Sequence, residues 1–132
     1  MGQQQLLLIV LGVIIVGIAV VAGISMFTSG AAQANLEGVI SDMTNFRSNA
    51  QGWFRKPVSL GGGGRDFTDV TLAAFGAPSS TDNGTYSISG TPTATSFVLQ
   101  GLGTEDGDDD GTNVTVMMTI YGDSVATNIT NR

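Results

Sequence analysis

The sequence predicts an α+β chain: a long N-terminal α-helix packed on a small antiparallel β-sheet head. Three observations carry this. Residues Leu6 to Phe27 form 22 consecutive positions with no charge and a single polar side chain, Ser25. Leu36, Val39, Met43, Phe46, Ala50 and Trp53 then recur at alternating spacings of three and four, one face of a helix. Beyond residue 84 the chain turns to alternating apolar and polar residues punctuated by Gly, Asn and Pro, the pattern of short strands. The resulting organisation is an apolar helix over 1–29, an amphipathic helix over 30–56, a connecting region over 57–84 and an antiparallel sheet over 85–132.

The first element is apolar on every face, so it must be buried all round, in lipid or among other helices. Its 22 residues rise about 33 Å, enough to cross a hydrocarbon core of roughly 30 Å. A secretory signal peptide needs a basic leading segment and a shorter apolar core. The opening MGQQQ has no Lys or Arg, and the first ionisable side chain is Glu37. Membrane anchors normally carry flanking positive charge, so its absence leads to the expectation that a basic leader preceded Met1 and has been removed. Gly12, Gly17 and Gly23 interrupt the run, either as ordinary transmembrane glycines or as points of close helix approach and local unwinding.

An apolar N-terminal helix that continues as an amphipathic helix under a β-rich head resembles the type IV pilin superfamily. The architectural likeness covers the whole chain, while its specific motif lies in about the first 27 residues. The resemblance implies processing by a prepilin peptidase, a methylated N-terminal amine, and pilus assembly machinery as partner. It also implies a membrane-embedded pool and polymerisation with copies of itself into an extracellular, cell-surface filament. Leu6, Ile9, Val13, Ile14, Val16, Val20, Ile24 and Phe27 would then form the filament core, and Met1 and Gln5 would serve N-terminal assembly. The family commonly has a glutamate at the fifth mature position to neutralise a neighbour's amine. Gln5 accepts hydrogen bonds but supplies no counter-charge, and the family's common helix proline is also missing. A secretion-system pseudopilin and a membrane-anchored calcium- or ligand-binding surface protein are the alternatives.

The second helical stretch follows Thr28, Ser29 and Gly30, a point able to loosen or kink the helix. It ends at Pro57 and the glycines 61–64, with Arg55 and Lys56 placed to favour the helix dipole or to pair with acidic neighbours. The glycine run lacks the lysine and following helix of a phosphate loop. It reads instead as a flexible connection, or as close backbone packing against another subunit. Phe67, Val70, Leu72 and Phe75 make the region after it docked rather than disordered, and the pilin resemblance implies subunit contacts there. Strands are expected at Thr85–Ser89, Ser96–Gln100, Asn113–Tyr121 and, at an edge, Ser124–Ile129, joined as an antiparallel meander with one face on the helix stripe.

The most specific local motif is Asp106-Gly107-Asp108-Asp109-Asp110-Gly111, the opening half of an EF-hand-type calcium loop. Asp106, Asp108 and Asp110 would offer carboxylates and Thr112 its carbonyl. Met117 stands where the closing glutamate belongs, leaving Glu105 or Asp123, a neighbouring subunit or water to complete the shell. The bland reading is a solvated acidic hairpin loop. Asn83, Asn113 and Asn128 open N-x-T sequons, acceptors only where a host glycosylates them. Phe27, Phe46, Trp53 and Phe54 at helical spacing read as core rather than as an electron path.

Composition narrows the rest. Net charge is −6, and the five cations Arg47, Arg55, Lys56, Arg65 and Arg132 form no stripe, which disfavours nucleic-acid binding. With no Cys and no His, disulfides, thiolate metal sites and the commonest acid–base catalyst are excluded. No catalytic arrangement is visible, no cofactor is required, and the expectation is a protein that is not an enzyme.

Overall fold

The computed structural model describes residues 2–108 and 110–132. One helix, α1 (Gly2–Arg55), is 54 residues long and spans about 81 Å. It packs through its second half on a five-stranded sheet of β1 (Ser80–Thr81), β2 (Gly84–Ser89), β3 (Ser96–Gly103), β4 (Thr115–Tyr121) and β5 (Val125–Asn131). Every neighbouring pair is antiparallel and the spatial order follows the chain, so the sheet is an unbroken meander. The α+β arrangement of a long helix on an antiparallel sheet is therefore the fold.

The helix stripe is the core. Ala32, Leu36, Val39, Met43, Phe46 and Ala50 are buried, and Trp53 is half-buried at the end of the row. They meet alternate residues of the central strands: Phe97 and Leu99 on β3, and Val116, Met118 and Ile120 on β4. Gly101 sits where the apolar stripe of α1 presses on β3. A Cβ there would lie 2.7 Å from both Met43 Sδ and Val39 Cγ1, so the missing side chain sets the helix-to-sheet spacing.

Three local expectations change. The helix does not break at Thr28–Gly30; α1 runs through, and the Thr28 hydroxyl donates back to the Ile24 carbonyl at 3.0 Å, satisfying itself within the helix. The strand expected from Asn113 begins at Thr115, because the Asn113 side chain turns aside to donate to the Gly103 carbonyl at 3.1 Å. Ser80–Thr81, inside the region read as connection, adds a short strand beside β2.

The four-glycine run is also not a flexible joint. Gly63 N–H donates to Trp53 O at 2.9 Å, Gly64 N–H to Lys56 O at 2.9 Å, and Arg65 N–H to Phe54 O at 2.7 Å. These bonds satisfy carbonyls that a helix C-terminus otherwise leaves open. Gly61 and Gly64 take positive φ to make the turn, and a Cβ on Gly63 would collide with the Trp53 ring. The close backbone packing expected against another subunit is made within the chain, against the end of α1.

Candidate assembly stem and acidic loop

The N-terminal half of α1 projects from the head as a bare stem. Its large apolar side chains from Leu6 to Phe27 are 52–79% exposed, and the span is long and apolar enough to cross a membrane. Leu6, Ile9, Val13, Ile14, Val16, Val20, Ile24 and Phe27 all face outward from the single chain. Gly12, Gly17 and Gly23 leave open notches with nothing within 4 Å of a built Cβ. Gln5 lies exposed in the first turns of α1, while Met1 lies outside the described residues.

Where the stem enters the head, a polar junction fixes it. Asn35 donates from Nδ2 to the Asn83 carbonyl at 2.7 Å, and its Oδ1 accepts from Thr104 N–H at 2.9 Å. Two turns further along, one oxygen of Asp42 accepts from Tyr86 OH at 2.6 Å, Thr81 Oγ1 at 2.8 Å and Asn83 Nδ2 at 3.0 Å. Desolvation pushes the Asp42 carboxyl upward, but the bonds from Tyr86, Asn83 and Thr81 outweigh it and hold the group below its ordinary value. The Tyr86 hydroxyl, desolvated and donating to that carboxylate, is pushed up to about 12. This latch was not singled out in the sequence. A signal existed: Asn35 and Asp42 are seven residues apart beside the apolar stripe, with Gly38 between them, and a Cβ on Gly38 would press on the Asn83 amide.

The acidic loop between β3 and β4 hangs beside the stem's entry. Asp106, Asp108 and Asp110 each bring a carboxylate oxygen within 4.8 Å of the others; Asp109 lies outside the described residues. The loop is knit by its own backbone: Gly111 N–H donates to Asp106 at 2.7 Å and Thr112 N–H to Asp110 at 2.8 Å. Asp108 is raised above the ordinary carboxylate range, first by displaced water and then by its hydrogen bond with Asp106 and the Asp110 charge. Three oxygens this close can hold a divalent cation that takes oxygen ligands. The Thr112 carbonyl faces Asn131 Nδ2 at 3.4 Å. Asp123 lies past the opposite end of β4, a strand of 7 residues and so about 20 Å away, and cannot close the shell within one chain.

The sequons separate by environment. The Asn83 amide donates to Asp42 and the Asn113 amide to Gly103, and both side chains are half-buried. Asn128 is exposed on the outer face of the sheet, opposite Met117 on β4. The aromatic residues form a cluster in the core rather than a path. Phe67, missed as its centre, stacks with Phe54 at 4.5 Å and meets Phe97 at 5.0 Å, while Phe27 on the stem has no ring partner among the described residues.

Searches against protein-family profiles, curated proteins and solved structures return no match.

Proposed function

We propose that this chain is a structural subunit, a pilin of an extracellular type IV pilus-like filament that assembles through its apolar N-terminal helix. The observation that carries the reading is the stem: an apolar rod of 22 residues, exposed on all sides and continuous with the helix that anchors the head's core. Burying such a rod is worth roughly 25 cal/mol per Å² of apolar area, and it has two apolar destinations, a bilayer and a bundle of its own kind. In this reading the rod visits both, first in a membrane pool and then in a homopolymer whose heads form the outer wall. A repeated head-to-tail contact that does not close on itself makes a fibre.

Gln5 leaves the N-terminal amine of a neighbour without a counter-charge, so apolar packing carries the assembly. Prepilin peptidase, an N-methylated Met1 and the pilus assembly machinery belong to the same reading. The acidic triad adds a second element: calcium held by Asp106, Asp108 and Asp110, with a shell completed from outside the chain.

The test is to shear cells that make the protein and examine the released material by electron microscopy and mass spectrometry. Filaments containing the chain, with a methylated N-terminal peptide, are expected. Short assemblies confined to the periplasm would favour a secretion-system pseudopilin. A monomer that stays in the membrane fraction would refute polymerisation and leave a membrane-anchored binding head.

A further inference from the structure

The two ends of the head differ in a way that the fold itself does not use. At the far end of α1, the short turn Val58–Leu60 is held by Leu60 N–H to Pro57 O and Gly61 N–H to Val58 O, both at 3.0 Å. That ordered turn presents Val58 at 72% and Leu60 at 65% exposure. The only other exposed large apolar side chains among the described head residues, Leu102 and Tyr121, reach no more than 39%. Lys56 adjoins this knob in the chain, and Arg55 and Arg65 line a cleft at the same end with Asp123, where Arg55 donates to the Gly122 carbonyl at 3.3 Å; all three cations are exposed. At the near end, Met26 and Phe27 are the most exposed of the stem's large apolar residues at 76% and 79%. Just above them a groove between α1 and the acidic loop is lined by Ser29, Ala32, Leu36, Gly107, Asp108 and Arg132.

Charge follows the same division. Three of the five cations stand at the knob's end of the head, while Glu105, Asp106, Asp108 and Asp110 gather beside the stem with Arg132 as the one cation there among the described residues. Among the described residues other than Asp106, no carboxylate lies within 4.0 Å of any of the five cations. The far end also carries Asp66 and Asp123. Asp66 accepts from the Thr68 N–H and hydroxyl, and Asp123 borders the cleft between Arg55 and Arg65 without pairing to either.

We propose that these ends are the two halves of one contact between copies of this chain. The Val58–Leu60 knob of one copy docks on the Met26–Phe27 shoulder of the next, and Arg55, Lys56 and Arg65 meet the acidic loop there. The inference rests on the filament reading and specifies its head-to-tail interface. One chain cannot make the contact with itself, because the 28 helical steps from Phe27 to Arg55 hold the ends about 42 Å apart. The contact is heterologous, so it propagates into a fibre with a step of about that length. An anionic membrane is not the partner of the basic end, because the stem places any membrane at the opposite end of the head.

The full chain has no cysteine, which makes a direct test simple. Ser29 and Ser59 are both exposed, one at each end. In a Ser29→Cys, Ser59→Cys double variant, sheared filaments are oxidised with copper–phenanthroline in air and run on a denaturing gel. A disulfide requires Cα atoms within about 7 Å, so any bridge between these positions joins two chains. The expected result is a ladder of dimers, trimers and longer species, while each single variant gives no more than dimers. Filaments that form but yield only monomer and dimer from the double variant would overturn the interface and leave the filament reading intact. Absence of filaments from the unsubstituted chain would overturn the reading itself. A charge-swap arm separates attraction from folding. Lys56→Glu with Arg65→Glu is expected to cut filament yield about tenfold at low salt, and adding Asp108→Lys with Asp110→Lys to restore it. Unchanged yield in the first variant, or loss without rescue in the second, counts against the contact.

Discussion

Replacing Asp42 by alanine should weaken the hold of the head on its helix. One carboxylate oxygen there accepts three hydrogen bonds, from Tyr86 at 2.6 Å, Thr81 at 2.8 Å and Asn83 at 3.0 Å. A net bond to a charged acceptor contributes roughly 1.5–3 kcal/mol. Thr81 and Asn83 are half-buried and regain water, whereas Tyr86 is only 3% exposed and keeps an unsatisfied hydroxyl. The expected loss is therefore about 2–4 kcal/mol rather than the sum of three bonds. For a domain near a hundred residues that lowers Tm by roughly 10 °C or more.

The same latch sets a pH window. The folded Asp42 value lies below its ordinary 3.8, so the stabilisation is present above that value and is lost as pH falls through the folded one. The folded Tyr86 value is raised from 10.0 to about 12, so its share is present below 10 and is lost as pH climbs toward 12. The assay is thermal melting of the full chain in detergent micelles, followed by near-ultraviolet circular dichroism of the head's aromatic residues across pH 2–12. Asp42→Asn should lower Tm by less than Asp42→Ala and should flatten the acid limb. An Asp42→Ala protein that melts with the parent, or an Asp42→Asn protein that keeps the parent's acid limb, would refute the latch.

Three further outcomes are expected. Val13→Asp places an unpaired charge in the stem at a cost of several kcal/mol per subunit; the chain should vanish from the sheared filament fraction while still reaching the membrane. Gly101→Val pushes a branched side chain against Met43 and Val39 and should destabilise the head by about 2–3 kcal/mol, read as a lower denaturant midpoint. Calcium at ten times its dissociation constant should stabilise the head by about 1.4 kcal/mol, several degrees in Tm; a calcium-dependent shift that survives Asp108→Asn with Asp110→Asn would remove those carboxylates from the site.

The stem, the stripe from Leu36 to Trp53 and the meander were all legible, because each is written in local periodicity. Residue type at a spacing of three and four, or of two, is enough to say which face is buried. The acidic loop was legible as a cluster for the same reason, since Asp106, Asp108 and Asp110 are neighbours in the chain. The latch was not, because Asp42 meets residues 39 to 44 positions away. The glycine run was misread for a related reason: its partners are the last carbonyls of α1, and only the path of the folded chain brings them within reach.

By itself the sequence determined an uncharged apolar helix, an amphipathic continuation and an antiparallel head, because hydrophobic burial follows from composition and period. Tertiary structure alone decided that α1 is unbroken through Thr28–Gly30, that Asp42 ties it to β2, and that the basic knob and the acidic loop stand at opposite ends of the head. Those are matters of direction and distance between segments remote in sequence. They are fixed only when the second half of a helix of about 81 Å is laid across the sheet and its half-buried carboxylate and amide side chains find partners there.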